Sequence, residues 1–565
     1  MGVPDTAARR DRGGGRRPGP AAHRRPRRAE SRRGRPAVGT ADPRRAVRPR
    51  GDRRRRVSAA GAAAGGPVTG RPIERRRALQ LGALGIAGIA AGGLGLSRTG
   101  LPFASSPRST IAESGLPVVE PAVLRSEAGV LRVELTVART RLDQAGTATM
   151  LTYNGTVPGP TWRVRPGDRL EVRVVNTLDA ATNLHFHGLR VSPQGTGDNP
   201  FVSIEPGRSF DYRLDVPPDH PPGVFWYHPH RHGSVADQLF GGLYGTILVD
   251  GDDAIPVARE RVLVISDVSL APDGSLARVY PQQVMTGREG ELLLVNGRPE
   301  PRLTARPGDR ERWRLVNACT SRYLRLTVDG HRLHLLGVDG GHEPGTPEVG
   351  EVLLAPGNRA DLVVDIEAGT GRLRTLGYDR GGAMMGMMGG GTELSGPAML
   401  ATVVADGPPA ADAGPVPQRA VDPDLRGRPI AASREITFTM GMGMGMGAMM
   451  GSGPGGAGMN FGFDNRAFDA RRTDQSPAAG TIEQWTIRNP TPMDHPFHLH
   501  IWPMQIVEEH GGPVEQPRWR DVVNVPAGGR VQVLIDFTRF PGRSVYHCHI
   551  LDHEDAGMMA TVEAR

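Results

Sequence analysis

Near the C-terminal end of this 565-residue chain lies HCHILDHEDAGMM, from His547 to Met559. Cys548 stands between His547 and His549, His553 follows five residues after the Cys, and Met558 ten after it. A thiolate, an imidazole and a thioether at these spacings can converge on one copper if a second His comes from elsewhere. That donor set, His₂Cys with a weak axial Met, is the one that marks blue-copper electron transfer. On an extended segment successive side chains alternate faces, so His547 and His549 point away from Cys548 and are free to bind other metals. An electron arriving at the thiolate site would then have a short covalent path onward.

The other histidines are grouped in the same manner. HFHG holds His185 and His187, HPH holds His228 and His230, and HPFHLH holds His495, His498 and His500. An H-x-H pair on a strand puts both imidazoles on one face, where they can serve one cluster. A lone pair of this kind arises by chance or as strand-face polar residues; four clusters do not. Ten of the seventeen histidines fall in these motifs, and His23, His220, His232, His331, His334, His342 and His510 lie outside them.

In this order, from His185 to Met558, the four motifs resemble those of the three-domain bacterial multicopper oxidases. The likeness is greatest to periplasmic copper-efflux (cuprous) oxidases and bacterial laccases, and covers residues 117–565. Carried over position by position, the resemblance implies a type 1 copper on His495, Cys548 and His553 with Met558 axial. It implies type 2 ligands at His185 and His498, and a type 3 pair on His187, His228, His230, His500, His547 and His549. That makes four copper ions per chain: one type 1, one type 2 and two type 3. Glu554 and Asp198 match the family's proton-relay acids; each would otherwise be a structural hydrogen-bond acceptor. The implied reaction is one-electron oxidation of Cu(I), or of small aromatic reductants in the laccase alternative, coupled to reduction of O2 to water. Electrons are expected to enter through an exposed edge of His495. Met493 and Asp494, just before it, are expected to contact a metal substrate or orient the loop. A non-catalytic copper-binding or scaffold protein is the alternative of another class; it would not need the intact ligand set found here.

Strands must position these residues. Short alternating runs bounded by Gly and Pro recur along the chain, among them RLEVRVVN (169–176), ERWRLVNA (311–318), RADLVVDI (359–366) and RVQVLIDF (530–537). Few stretches have helical periodicity, so the reading is all-β. RPGDR occurs at 165–169 and again at 306–310, each time before such a strand and an Asn, Asn176 or Asn317; GTIEQWTIRN (480–489) resembles a third copy. Duplicated units follow. With the family resemblance, they become three cupredoxin-like Greek-key β-sandwich domains at 117–255, 256–405 and 430–565, with a Pro- and Ala-rich linker at 406–432. Ligands come only from the first and third, so the three-copper cluster is expected at their interface.

The net charge of +9 is unevenly spread: residues 1–77 hold twenty-four Arg against six acids, so the rest of the chain carries a net −9. The basic leader therefore gives no ground for expecting a nucleic-acid partner. Residues 1–70 are expected to be a disordered Arg-rich extension, since they cannot bury a core; the alternative is a gene start placed too far upstream. Residues 71–106 read as a twin-arginine export signal, with Arg75, Arg76 and Arg77 before a Gly- and Ala-rich apolar run. That run is marginal for a membrane span, so the expectation is an exported monomer without stable membrane insertion, in the periplasm, outside the cell or at its surface. Cys319, the only other cysteine, is expected to be a small buried hydrophobe.

Methionine is the most individual feature. Of nineteen Met, four lie at 384–388 and seven at 440–459. Their neighbours are Gly, which leaves no core for them to fill, and soft thioethers suit Cu(I). Met440, Met442, Met444, Met446, Met449 and Met450 are the candidate substrate ligands in the second group.

Overall fold

The structure is a computed structural model and describes residues 115–143, 147–251, 255–381, 395–418, 422–442 and 459–565. The Arg-rich leader, the export signal, residues 384–388, and Met444, Met446, Met449 and Met450 lie outside the described residues.

Strands dominate, arranged as three successive pairs of sheets. A five- and a four-stranded sheet use strands between Val123 and Val249; a seven- and a five-stranded sheet use strands from Leu292, Arg259 and onward to Ala405; a six- and a four-stranded sheet use strands between Ala432 and Ala564. Alternation builds each core. In Arg169–Asn176, Leu170, Val172 and Val174 are buried while Arg169, Glu171 and Arg173 face outward. Burying each such aliphatic side chain contributes about 1.5–3 kcal/mol. The chain is an all-β protein of cupredoxin-like β-sandwiches.

The repeated motif has one structural role in all three copies. Its strand pairs in parallel with the long strand that opens the unit: Val130–Leu142 with Arg169–Asn176, Arg259–Val268 with Arg310–Asn317, and Ala432–Met442 with Ile482–Arg488. The Asn that ends each copy is buried and pins the following turn by the same three bonds. Asn176 donates to the carbonyls of Ala180 and Ile204 and accepts from Leu178 N. Asn317 donates to Arg322 and Leu354 and accepts from Cys319 N. Asn489 donates to Met493 and Val525 and accepts from Thr491 N. In the third copy this turn leads into His495, so a device common to the repeat also places a site residue.

Candidate metal centre

The strand His495–Leu499 lies against Gly542–Cys548, with Phe497 opposite Cys548. This brings His495 Nδ1 to 3.4 Å from Cys548 Sγ, while His553 Nδ1 lies 3.8 Å from the same sulfur. All three residues are fully buried, as is Met558, whose carbonyl accepts from Cys548 N. The far nitrogens are spoken for: His495 Nε2 donates to Thr491 Oγ1 at 2.9 Å and His553 Nε2 to the Met285 carbonyl at 3.1 Å. Each ring therefore keeps its Nδ1 lone pair toward the sulfur. Phe438 stacks on His495 and Phe461 on His553, fixing the ring planes. Burial pushes the Cys548 thiol pKa up and both histidines' pKa values down, that of His553 to about 3. A site that disfavours a bare thiolate yet holds two neutral imidazoles against it suits a cation, which takes thiolate and neutral His together.

Eight further histidines, all buried, converge where the first and third sandwiches meet. His185 Nε2 is 3.4 Å from His498 Nε2. His230 Nε2 is 3.0 Å from His547 Nε2 and 3.1 Å from His500 Nε2. His187 Nδ1 is 3.4 Å from His228 Nε2, and the His549 ring lies 5.1 and 5.8 Å from those of His187 and His228. The contacts overlap across the cluster: His185 lies within metal-sharing reach of His498 and His500 and also of His187 and His228, while His230, His500 and His547 form a further group. Outward-facing nitrogens set the tautomers. His228 Nδ1 donates to Pro229 O, His547 Nδ1 to Cys548 O and His498 Nδ1 to Asp521 O. His185 Nδ1 donates to Asp198 and His187 Nε2 to Asp521, each at 2.9 Å. On these five rings the inward nitrogens are left as lone pairs, and among the described residues neither ring nitrogen of His549 has a hydrogen-bond partner. Desolvation drives every one of these pKa values down, His547 to about 4, and neighbouring imidazoles lower the others further, His228 to about 3. Protons cannot relieve the crowding at neutral pH. Metal cations can, and the donor set fits copper.

Both candidate acids are fully buried beside this cluster but differ in posture. Asp198 stands behind His185, also accepts from Phe186 N, and has its pKa raised by burial to about 7. Glu554 lies on the cluster itself, Oε2 3.1 Å from His547 Nδ1 and Oε1 3.6 Å from His230 Nε2. Among the described residues neither of its oxygens has a hydrogen-bond partner, and burial raises its pKa well above the usual range. Its short helix, Leu551–Asp555, is clamped from both sides: Arg288 pairs with Asp552, and Asp555 accepts the N–H groups of Gly233, Val235 and Ala236.

Two expectations, for His495 and Met493, meet a different arrangement, and Asp494 takes the loop-orienting one of its two expected roles. His495 has no exposed edge; it is 0% accessible beneath Phe438 and the Thr491 turn. Met493 is packed inside the third core. Asp494 has both oxygens engaged, Oδ1 by Ala527 N and Oδ2 by the Tyr378 hydroxyl and Asn524 Nδ2. Its carboxylate therefore ties the loop before His495 to its neighbours and is not left open to an incoming cation. Sequence reasoning missed Thr491, Met285 and Asp521, which orient histidines; none carries a motif.

Three multicopper oxidase family models match the chain, at residues 135–254, 271–372 and 441–565. A solved multicopper oxidase from Campylobacter jejuni, described as a metallo-oxidase, is 30% identical over 80% of this chain and 96% of its own, with a TM-score of 0.69. The chain belongs to the multicopper oxidase family. Like other multicopper oxidases it is a copper-dependent oxidoreductase with O2 as acceptor. The multicopper oxidase mco of Staphylococcus aureus is 25% identical over 73% of this chain and 83% of its own. A laccase of Bacillus stratosphericus is 25% identical over 73% of this chain and 90% of its own.

Proposed function

We propose that this multicopper oxidase oxidises Cu(I), with four coppers per chain and O2 reduced to two waters. His495, Cys548, His553 and Met558 would hold one copper, His185 and His498 a second, and His187, His228, His230, His500, His547 and His549 the remaining two. Bound copper supplies one-electron acceptance at the thiolate and O2 reduction at the cluster. The chain supplies the rest: Cys548 links the two sites through its covalent neighbours His547 and His549. Glu554 holds a proton beside the cluster, and Asp198 orients His185.

One observation carries the choice of Cu(I): both Met-rich segments join the described chain beside the thiolate site. Strands Ala432–Met442 and Met459–Phe463 pair as a hairpin, and the same two strands carry Phe438 and Phe461, the rings stacked on His495 and His553. Residues 443–458 connect them. Met440, half-buried, packs on the third core at that hairpin. The other segment begins after Gly381, where Arg380 O accepts from Asp494 N, one residue from His495. Removing residues 443–458 and closing the hairpin with a two-residue turn is expected to lower kcat/KM for Cu(I) by about tenfold or more, the worth of one lost soft contact. Phenol oxidation should stay unchanged or rise. Intact Cu(I) kinetics after the deletion would make a laccase the better reading.

Export through the twin-arginine route accompanies this reading, supported by Arg75, Arg76 and Arg77 before the apolar run. Among the described residues no helix is long and apolar enough to cross a membrane. The paired change Arg75→Lys, Arg76→Lys should hold the protein in the cytoplasm, measured by fractionation; undiminished export would show that the signal lies elsewhere.

A further inference from the structure

The second sandwich contributes no histidine to the cluster, yet one of its side chains reaches the back of it. Arg359, at the start of the strand Arg359–Asp365, is fully buried. Its two terminal nitrogens, Nη1 and Nη2, donate to Oδ1 and Oδ2 of Asp521 at 2.6 Å each, a bidentate fork. Nη1 also reaches Asp339 Oδ1 and Gly357 O at 3.1 Å, and Nε donates to Val224 O at 3.1 Å. One guanidinium thus ties a backbone carbonyl of the first sandwich and a carboxylate of the second to a carboxylate of the third.

Asp521 passes that restraint to the cluster. Its Oδ1 accepts the Nε2 proton of His187 at 2.9 Å, and its backbone carbonyl accepts from His498 Nδ1 at 2.7 Å. His187 is the ring that turns Nδ1 toward its neighbour in the cluster, 3.4 Å from His228 Nε2. His228, His498 and His547 are held from behind by backbone carbonyls, which cannot rotate away. His187 is held by a side-chain carboxylate, which can, unless something fixes its plane. The backbone packs closely around the fork. Gly188 follows His187 with φ +85°, and a Cβ there would lie 2.5 Å from Arg359 Nη2 and 2.7 Å from Asp521 Oδ2. Gly357 has φ +87°, and a Cβ there would lie 2.7 Å from the His549 ring.

We propose that Arg359 is a positioning residue for the histidine cluster: through the Asp521 carboxylate it fixes the plane and tautomer of His187, so that the cluster is competent only when the second sandwich is docked. This rests on reading the cluster as a copper site. Partners of this kind, standing behind a metal ligand, are worth about 10–100-fold in metal affinity or activity.

Three variants test it. Arg359→Lys keeps the charge but cannot form the planar fork. Arg359→Met removes the charge and leaves Asp521 buried without its partner. Arg359→Met with Asp521→Asn removes both charges. The measurements are copper retained against a competing chelator, blue absorbance per chain, melting temperature, and the rates of anaerobic reduction by Cu(I) and of reoxidation by O2. In Arg359→Lys the blue absorbance and the anaerobic reduction of the blue site should match the unaltered protein. Cluster copper should be about 10–100-fold easier to remove, and reoxidation slower by a similar factor. Arg359→Met should add a lower melting temperature, which the double variant recovers without recovering cluster copper. The proposal is overturned if Arg359→Lys holds cluster copper as tightly as the unaltered protein, or if the double variant recovers it along with the melting temperature. An unaltered chain that takes copper only at the thiolate would instead overturn the cluster reading itself.

Discussion

Replacing Cys548 by Ser is expected to remove the blue colour and to cut turnover by at least about a thousandfold, roughly 4 kcal/mol of barrier. The reason is local. Serine lacks a thiolate, so the charge-transfer absorption of a copper–sulfur bond has no source, and the covalent path from the first site to His547 and His549 loses its first atom. The histidine cluster does not depend on that sulfur. His230, His500 and His547 meet through their own nitrogens at 3.0–3.3 Å, so the cluster should still load with copper. The variant is expected to fold, because the change is nearly isosteric and Ile550 N and His495 Nδ1, which line the sulfur at 3.4 Å, can partner the serine hydroxyl. Absorption spectroscopy and steady-state O2 uptake read the two effects together. A variant that stays blue would place the thiolate elsewhere, although Cys319, buried near Asp267 in the second sandwich, has no histidine hydrogen-bond partner among the described residues.

Glu554→Gln should slow reoxidation by O2 by about 10²–10⁴-fold while leaving the blue absorption unchanged, the range expected on losing a positioned proton donor. Glutamine keeps the shape and loses the exchangeable acid. The sign of the pH dependence follows from burial, which raises the Glu554 pKa well above the usual carboxylate range. The protonated form persists to higher pH than an exposed glutamate would allow. If it is the donor, reoxidation in the unaltered protein falls as pH rises through that elevated pKa, and the variant loses this fall. Stopped-flow reoxidation across pH measures both. A Glu554→Gln protein with the native rate and native pH profile would leave Asp198, raised to about 7, as the acid to examine.

Much of the site was legible because its information is local. H-x-H and HCH are two- and three-residue spacings on strands, and a strand translates such spacing directly into a shared face or opposite faces. The repeated RPGDR strand was legible for the same reason, and the buried Asn at its end shows why the copies keep it: it makes the same three bonds each time. What was not legible depends on contacts far apart in sequence. Which histidines meet depends on such contacts: His230 lies beside His547, 317 residues away. Asp521 reaches His187 across 334 residues and Arg359 across 162. In the sequence these are an Asp after RWR and an Arg after PGN, no different from residues at many strand ends. Met493 packs inward, and of the two roles expected for Asp494 the structure shows the loop-orienting one, for a related reason. Proximity to His495 in sequence says nothing about which way a side chain faces, and the Asn489 turn directs Met493 into the core while Tyr378 and Asn524 occupy Asp494.

The most direct test of the central claim is metal analysis of the copper-loaded, unaltered chain beside the Cys548→Ser protein. Two separate buried donor sets, one with sulfur and one of histidines alone, predict four coppers per chain and a blue protein in the first case. In the second they predict three coppers and no blue colour. A single copper per chain in the unaltered protein, or an oxidised protein without colour, would contradict the account.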